Sequence, residues 1–177
     1  PFLIFCKMSK VVLITGASSG LGLTTALHLH EKGYTVYGTS RNPKIYDKQY
    51  PFNFLSLENA DSISIQNCVK TVLDQSGRLD ILINNAGVGI IGPMEEIELS
   101  AVRQHFEVNC FGPLQLMQAV LPHMRLQGEG LIINITSIAA DIGLPFRGTY
   151  SAAKGALERM SEALRMETKA HGIRICN

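Results

Sequence analysis

Short apolar runs alternate with longer helix-period stretches along most of this chain. The runs are rich in β-branched residues, which is typical of buried strands; they are Val11–Ile14, Thr35–Thr39, Phe52–Leu57, Ile81–Ile83 and Leu131–Ile135. Parallel strands need crossover connections, which helices usually provide. The alternation therefore predicts an α/β fold, a doubly wound parallel sheet with helices on both faces in a three-layer α/β/α arrangement.

Helix boundaries follow from caps and apolar periodicity. Asp61 is predicted to cap a helix that runs to about Gln75. Its buried face should consist of residues at helical spacing, namely Ile65, Cys68, Val69 and Val72. Two longer helices are predicted at about Ser100–Leu126 and Tyr150–His171. Pro113 predicts a kink in the first of them, because proline lacks the backbone N–H.

Composition and charge exclude several functional classes. The 177 residues carry 16 Lys and Arg against 15 Asp and Glu, a formal net charge of +1 without a basic cluster. Such a charge distribution does not favour nucleic acid or an anionic membrane as a partner. No apolar run approaches the roughly 18 residues of a membrane span. Four cysteines and five histidines lack the spacing of a metal site or a compact disulfide framework. We therefore expect reduced thiols in a cytoplasmic protein, no bound metal, and a small-molecule or protein partner.

A single domain is predicted, because 177 residues can bury one core and no linker or repeat divides the chain. Met8 is interpreted as a natural start, so residues 1–7 are taken as a non-native or disordered leader. The final "GIRICN", residues 172–177, begins like a sixth strand and then stops. We therefore expect residues 8–177 to form one domain whose C-terminal part is missing.

A glycine-rich turn, "TGASSGLG" at residues 15–22, joins the first strand to the first helix. The amino end of a helix offers unpaired N–H groups and a positive dipole end, which favour an anionic phosphate. Gly16, Gly20 and Gly22 remove side chains that would block such an approach, and Ser18 and Ser19 add hydroxyl donors. The spacing differs from the common G-x-G-x-x-G, and a tight turn that merely requires glycine is the alternative interpretation.

Four motifs occur in the order and at the separations of a known family: "TGASSGLG", "NNAG", a serine after the fifth apolar run, and "YSAAK". With them the sequence resembles the classical short-chain dehydrogenase/reductase family over essentially residues 8–177. The resemblance implies a Rossmann-type NAD(P)-binding domain. The implied catalytic residues are Asn109, Ser137, Tyr150 and Lys154. The implied cofactor-binding residues are Gly16, Ser18, Ser19, Gly20, Leu21, Gly22, Asn85, Ala86, Gly87, Tyr150 and Lys154.

Tyr150 and Lys154 are one helical turn apart, so their side chains share a face. An unperturbed tyrosine, with a pKa of about 10, is a poor base at neutral pH. The Lys154 ammonium and the positive charge of oxidised nicotinamide favour the phenolate, which makes Tyr150 the general acid/base. The resemblance also implies that Lys154 holds the nicotinamide ribose and that Ser137 binds the substrate oxygen. It assigns Asn109 a water-linked proton relay, at a helix irregularity that we expect around Cys110–Pro113.

The end of the second strand predicts which nicotinamide cofactor binds. An acidic residue there would bind a free ribose 2′-hydroxyl and repel a phosphate, but this sequence has Ser40, Arg41 and Asn42. A guanidinium makes charge-assisted hydrogen bonds to a 2′-phosphate, so NADP(H) is favoured over NAD(H), with Ser40 and Arg41 as contacts. A solvated loop arginine is the alternative for Arg41. Glu58 and Asn59 depart from the family pattern near the adenine, which is Asp followed by an apolar residue.

The segments Val88–Met94 and Ala139–Arg147 are expected to line a substrate pocket. Their apolar residues favour a hydrophobic alcohol or ketone, and they are Ile90, Ile91, Ile142, Leu144 and Phe146. Members of the family usually form dimers or tetramers through two long helices, which implies a homodimer or homotetramer. Ala153, Leu157 and Met160 would serve either that interface or the internal core.

The leading hypothesis is an NADP(H)-dependent oxidoreductase that interconverts a carbonyl and a secondary alcohol by hydride transfer. An epimerase or dehydratase of the extended branch shares Tyr-x-x-x-Lys, but the G-x-x-x-G-x-G spacing disfavours it. A dinucleotide-binding module made inert by truncation is the third hypothesis. Asn134 begins an "NIT" glycosylation sequon, which its place in a buried strand argues against.

Overall fold

A computed structural model describes residues 9–46 and 48–177, so the expected leader at residues 1–7 lies outside the described residues. Six parallel strands form one sheet in the order β3-β2-β1-β4-β5-β6. The strands are β1 Val11–Ile14, β2 Thr35–Ser40, β3 Asn53–Ser56, β4 Ile81–Asn84, β5 Gly130–Asn134 and β6 Ile173–Cys176. The chain winds outward from β1 to β3 and then from β4 to β6, which confirms the predicted doubly wound α/β fold.

Five α-helices connect the strands within the described residues. They are α1 Gly20–Glu31, α2 Ser62–Ser76, α3 Leu99–Phe106, α4 Gly112–Gln127 and α5 Gly148–Thr168. Asp61 caps α2 as predicted, since its carboxylate accepts hydrogen bonds from the backbone N–H groups of Ile63 and Ser64, at 2.8 and 3.4 Å. The predicted buried face of α2 is also confirmed. None of these helices is both long and apolar enough to cross a membrane.

A π-helical turn at Glu107–Phe111 separates α3 from α4. The irregularity expected around Cys110–Pro113 therefore begins earlier in the chain than predicted and overlaps the expected region at Cys110 and Phe111. Pro113 lies in the first turn of α4, directly after the π turn, and its missing N–H leaves no donor there for the preceding turn. The wider π turn places Asn109 inside the protein, where its side chain is fully buried.

Two hydrophobic layers cover the sheet. Alternate residues of β1 belong to opposite layers, because strand side chains point to opposite faces in turn. Val11 and Leu13 pack with α2, α4 and α5, whereas Val12 and Ile14 pack on the side of α1. Leu157 belongs to the first layer and Ala153 is buried as well, so two of the three predicted interface candidates serve the interior of this chain, whereas Met160 is half-buried.

Candidate active site

The glycines of the turn between β1 and α1 are required for two different reasons. Gly16 and Gly20 adopt left-handed backbone conformations, with φ of +66° and +53°, which L side chains disfavour. Gly22 has an ordinary φ but no room for a side chain. A Cβ at this position would overlap the carbonyl oxygen of Gly16 and approach Nδ2 of Asn85 to 2.5 Å.

The "NNAG" segment at the end of β4 holds this turn in place. The Asn85 Nδ2 donates to the carbonyl oxygens of Thr15 and Gly16, at 2.9 and 3.2 Å. The backbone N–H groups of Asn85 and Ala86 both donate to the Thr15 hydroxyl, at 3.0 and 2.9 Å. Thr15 was not identified from the sequence, although it is the first residue of the glycine-rich motif. Asn85 thus supports the glycine-rich turn through its side chain.

A cavity of about 510 Å³ opens at the carboxyl ends of β1, β2 and β4. Its lining includes ten of the predicted cofactor residues, which are Gly16, Ser18, Ser19, Leu21, Gly22, Ser40, Arg41, Asn85, Ala86 and Gly87. Ser19 precedes α1 without a side-chain capping bond. The first N–H groups of a helix have no partner within it, so this helix end meets the cavity with donors available to an anion.

The far end of the cavity is polar. Arg41 is exposed there, beside Ser40, whose hydroxyl accepts a hydrogen bond from the Asn42 backbone at 3.2 Å. Glu58 and Asn59, the residues that depart from the family pattern, also line this end. Additional lining residues that the sequence did not single out are Thr39, Tyr46, Leu57 and Val108, and Val88, the first residue of the predicted substrate segment, lines the cavity as well.

Lys154 is buried on α5, and its ammonium donates to the carbonyl oxygen of Ile135, at 2.7 Å. Burial lowers the pKa of Lys154, because the charged form loses its hydration. Gly87 lies between Lys154 and Asn109: a Cβ added to Gly87 would be 3.6 Å from Nζ of Lys154 and 2.9 Å from Oδ1 of Asn109. Gly87, which lines the cavity, therefore also borders two predicted catalytic side chains.

The Asn109 side chain is hydrogen-bonded to the backbone that follows β4. Its Oδ1 accepts from the Val88 N–H at 3.2 Å, and its Nδ2 donates to the Val88 carbonyl at 3.0 Å. The same Nδ2 donates to the carbonyl oxygen of His105, also at 3.0 Å. The predicted position of Asn109 at a helix irregularity is thus observed, with the side chain turned towards the Gly87–Val88 backbone.

Tyr150 is half-buried in the first turn of α5 and contacts an unexpected neighbour. Its ring lies edge-on to that of His105, with centroids 6.0 Å apart and planes at 70°. The sequence interpretation set His105 aside because it lacked metal-ligand spacing. The fold instead buries this histidine beside Tyr150 and Asn109, and the only local signal for this placement is the position of His105 one helical turn before Asn109.

Ser137 follows β5 and begins a short 3-10 turn at Ile138–Ala140, where its hydroxyl accepts from the Ala139 N–H at 3.2 Å. This turn packs on α5: a Cβ at Gly155 would lie 3.0 Å from the carbonyl oxygen of Ala140. The four predicted catalytic residues are therefore carried by the end of β5, the π turn and α5. Across the described residues, no group of His, Cys, Asp or Glu side chains is arranged to hold a metal ion.

A family model described as short chain dehydrogenase matches residues 10–177. The chain belongs to this family. The chain is 43% identical over 167 residues to the 3-ketodihydrosphingosine reductase of Bacteroides thetaiotaomicron, covering 94% of the chain and 61% of the relative. It is 34% identical over 179 residues to human 17-beta-hydroxysteroid dehydrogenase type 1, covering 93% and 54%. The chain thus spans less than two thirds of the length of either relative.

Solved structures support the same conclusion. A short-chain dehydrogenase from Streptomyces avermitilis superposes with a TM-score of 0.92 at 38% identity, over 96% of this chain and 64% of that chain. A metagenomic short-chain oxidoreductase in complex with NADP gives a TM-score of 0.87 at 29% identity, over 94% and 79%. These similarities confirm the predicted Rossmann-type fold.

A row of buried hydrogen-bonded polar side chains joins the sheet to α5. The Asn84 Nδ2 donates to Oδ1 of Asn134 at 2.8 Å, and the Asn134 Nδ2 donates to the Ser161 hydroxyl at 2.8 Å. Asn134 is fully buried, which agrees with the argument against glycosylation at its sequon. These bonds connect β4 and β5 to the helix that carries Tyr150 and Lys154.

Proposed function

We propose that this protein is an NADP(H)-dependent oxidoreductase that interconverts a carbonyl and a secondary alcohol on a hydrophobic substrate. The position of Gly87 carries the proposal. This residue lines the cavity at the glycine-rich turn and also lies between Asn109 and Lys154. A dinucleotide that fills the cavity would therefore extend towards the side chains that handle protons.

The residues around the cavity fit a dinucleotide. The helix end, with Ser18 and Ser19, suits a pyrophosphate, and a side chain at Gly22 would displace the turn that forms this end. Arg41, exposed at the far end, suits a 2′-phosphate. When bound, the nicotinamide supplies hydride to a carbonyl carbon or accepts it from an alcohol.

Side chains of the protein carry out and support the proton transfer. Tyr150 donates a proton to the substrate oxygen during reduction and removes it during oxidation. Ser137 donates a hydrogen bond to the same oxygen. Lys154 holds the nicotinamide ribose, and its positive charge favours the phenolate of Tyr150. Asn109 fixes the Val88 backbone beside Lys154 and serves the relay of protons to solvent.

Several exposed apolar side chains support a hydrophobic substrate. Ile91, Ile142 and Phe146 are 66%, 54% and 60% exposed. They belong to two segments that meet, since the Gly92 N–H donates to the Phe146 carbonyl at 3.0 Å. Clustered exposed apolar groups indicate a binding surface. The two curated relatives are named for a keto-compound reductase and a hydroxysteroid dehydrogenase, which supports carbonyl and alcohol chemistry.

We also place the protein in the cytoplasm as a homodimer or homotetramer. The compartment is supported by Cys68, Cys110 and Cys176, which are free thiols. The oligomer is supported by the exposed apolar side chains Leu126 on α4 and Met166 on α5. Size-exclusion chromatography with light scattering tests the oligomer, and a monomeric mass at micromolar concentration would contradict it.

Tyr150→Phe tests the proposed function. We expect ketone-dependent oxidation of NADPH by the full-length protein, and turnover lower by about 10²- to 10⁴-fold in the variant, because acid–base catalysis contributes that much. NADPH affinity should be unchanged. Tyr34→Phe, a change at a half-buried tyrosine before β2, is the matched control. Full turnover in Tyr150→Phe would refute the role of this residue.

A further inference from the structure

Asn134, the last residue of β5, is a fully buried polar side chain to which the proposed mechanism assigns no role. Its Oδ1 accepts from Nδ2 of Asn84 at 2.8 Å. Its Nδ2 donates to the Ser161 hydroxyl at 2.8 Å and reaches the sulfur of Met117 at 3.5 Å. Burial of an amide costs free energy unless it is hydrogen-bonded, so a fully paired amide favours the one arrangement that supplies its partners.

The carbonyl oxygen of Leu157 fixes the direction of these bonds. The Ser161 hydroxyl donates to it at 2.7 Å, because a carbonyl can only accept. The Ser161 oxygen is therefore the acceptor for the Asn134 amide, which must place Nδ2 towards Ser161 and Oδ1 towards Asn84. The hydrogen bond between β5 and α5 thus forms in one orientation of Asn134 only.

The residue that follows Asn134 makes a second bond to the same helix. The Ile135 carbonyl accepts from Nζ of Lys154 at 2.7 Å, while the Ile135 N–H donates to the carbonyl oxygen of Asn84 at 2.9 Å. Lys154 and Ser161 are about two helical turns apart, so they share one face of α5. Two consecutive residues at the end of β5 therefore hold one face of α5 at two points.

We propose that Asn134 is a positioning residue for the reaction: by holding α5 at Ser161, it keeps Lys154 against the Ile135 carbonyl and in place for Tyr150 and the nucleotide. Asn134 is fully buried and does not line the cavity, so it acts through Lys154 and not by contact with substrate or cofactor. Without its bond to Ser161, α5 shifts relative to β5 and the bond from Lys154 to Ile135 weakens. This inference rests on the proposed function, since the position of Lys154 matters only if Lys154 and Tyr150 act in turnover.

The first experiment needs no activity measurement. Urea titrations of the nucleotide-free, full-length protein measure the effect of Ser161→Ala in the wild-type and Lys154→Met backgrounds. If the two bonds support each other, the change in the unfolding equilibrium constant should be about fivefold smaller in the Lys154→Met background, because interacting contacts are non-additive. Thr168→Val is the matched control: its buried hydroxyl donates to the Leu164 carbonyl of its own helix at 2.7 Å, and its effect should be equal in both backgrounds.

The second experiment follows alcohol oxidation with NADP⁺ against pH. Lys154 on α5 and His105 on α3 are the described titratable groups beside Tyr150. Burial lowers the pKa of His105 below its ordinary 6.5, so the alkaline part of the profile reports on Tyr150. A displaced ammonium stabilises the phenolate less, so Ser161→Ala should move the profile to higher pH by about half a unit to one unit. The KM for NADP⁺ should rise about three- to tenfold, because Lys154 is proposed to hold the ribose. Thr168→Val should change neither.

Asn134→Leu removes the same bond from the side of the sheet and should give the same profile as Ser161→Ala. A wild-type pH profile in either variant would overturn the proposal, even if the variant is less stable, because the network would then be merely structural. Equal effects of Ser161→Ala on unfolding in both backgrounds would overturn it as well. An inactive wild-type protein would contradict the proposed function instead, and the unfolding experiment would then decide alone whether this anchor holds Lys154 in place.

Discussion

Gly22 in α1 faces the carbonyl oxygen of Gly16, and Nδ2 of Asn85 lies beside that oxygen on the same side of Gly22. Asn85 donates to that same oxygen at 3.2 Å. The helix, the turn after β1 and the end of β4 therefore meet within one hydrogen-bonded contact. This contact fixes the helix end where the pyrophosphate is proposed to bind, so the shape of the cavity depends on the absence of a side chain at Gly22.

Gly22→Ala should damage both stability and nucleotide binding. The added methyl group overlaps backbone that cannot move without shifting Asn85, and such overpacking costs about 1–3 kcal/mol. We expect the free energy of unfolding to fall by this amount in urea titrations, and NADPH affinity to drop at least about tenfold. Gly143→Ala is the control, because a Cβ there meets no atom within 4 Å. Equal affinities in the two variants would contradict this account of the turn.

Arg41→Ala should weaken NADPH far more than NADH. The exposed guanidinium at the end of β2 is proposed to bind the 2′-phosphate, and such charge-assisted bonds are worth roughly 1.5–3 kcal/mol, or about 10- to 150-fold in affinity. Titrations of nucleotide fluorescence measure both constants. Lys44→Ala removes an exposed charge from the neighbouring 3-10 turn and should have little effect. If Arg41→Ala weakens both nucleotides equally, the NADP(H) assignment is wrong.

Lys154→Met should stabilise the nucleotide-free protein while it abolishes turnover. The ammonium is buried with one carbonyl partner, so we expect a gain of about 1 kcal/mol at neutral pH. Burial lowers the folded-state pKa of Lys154 below the ordinary 10.5, so the unfolded state holds more protons between those two values. Wild-type stability therefore rises with pH across that window, and the advantage of the variant shrinks.

Denaturant titrations of the Lys154→Met and wild-type proteins at several pH values measure this difference. Lys70→Met changes an exposed lysine of α2 that pairs with Asp74, and it should show no such pH-dependent gain. A Lys154→Met protein that is clearly less stable than wild type at neutral pH would mean that burial of the ammonium is not costly here.

Two substitutions of Phe146 should distinguish the effect of backbone strain on stability from the effect of the aromatic ring on substrate binding. It adopts a left-handed conformation with φ of +62°, although it is not glycine. Phe146→Gly and Phe146→Ala both remove the exposed ring, but only alanine retains the strain, which costs roughly 1–2 kcal/mol. We expect the glycine variant to be the more stable by about 1 kcal/mol, as judged by urea titration. Both variants should raise KM for apolar ketones relative to small polar ones, and unchanged KM values would exclude Phe146 from the substrate surface.

Local features made much of the fold predictable. Strands β1 and β2 were recognised because strands buried on both faces have continuous apolar sequences. Helix α2 was recognised because Asp61 and the apolar face that begins at Ile65 lie close together in sequence. The helix irregularity was predicted around Cys110–Pro113 but begins at Glu107. The prediction relied on Pro113, because a proline can be recognised in a sequence whereas a π turn has no characteristic residue pattern. The sequence predicted Asn85 as a cofactor contact but not as a support for the glycine-rich turn. Its hydrogen bonds to Thr15 and Gly16 join residues 70 and 69 positions apart, and local sequence does not reveal such contacts.

The sequence by itself determined the alternating α/β pattern, the glycine-rich turn and the Tyr150–Lys154 pair, because each depends on residues within one or two turns of chain. Tertiary structure alone decided that Gly87 borders both Asn109 and Lys154, and that His105 is buried against Tyr150. Those contacts join β4, α3, the π turn and α5. Their geometry follows from packing between elements distant in sequence, which no local spacing encodes.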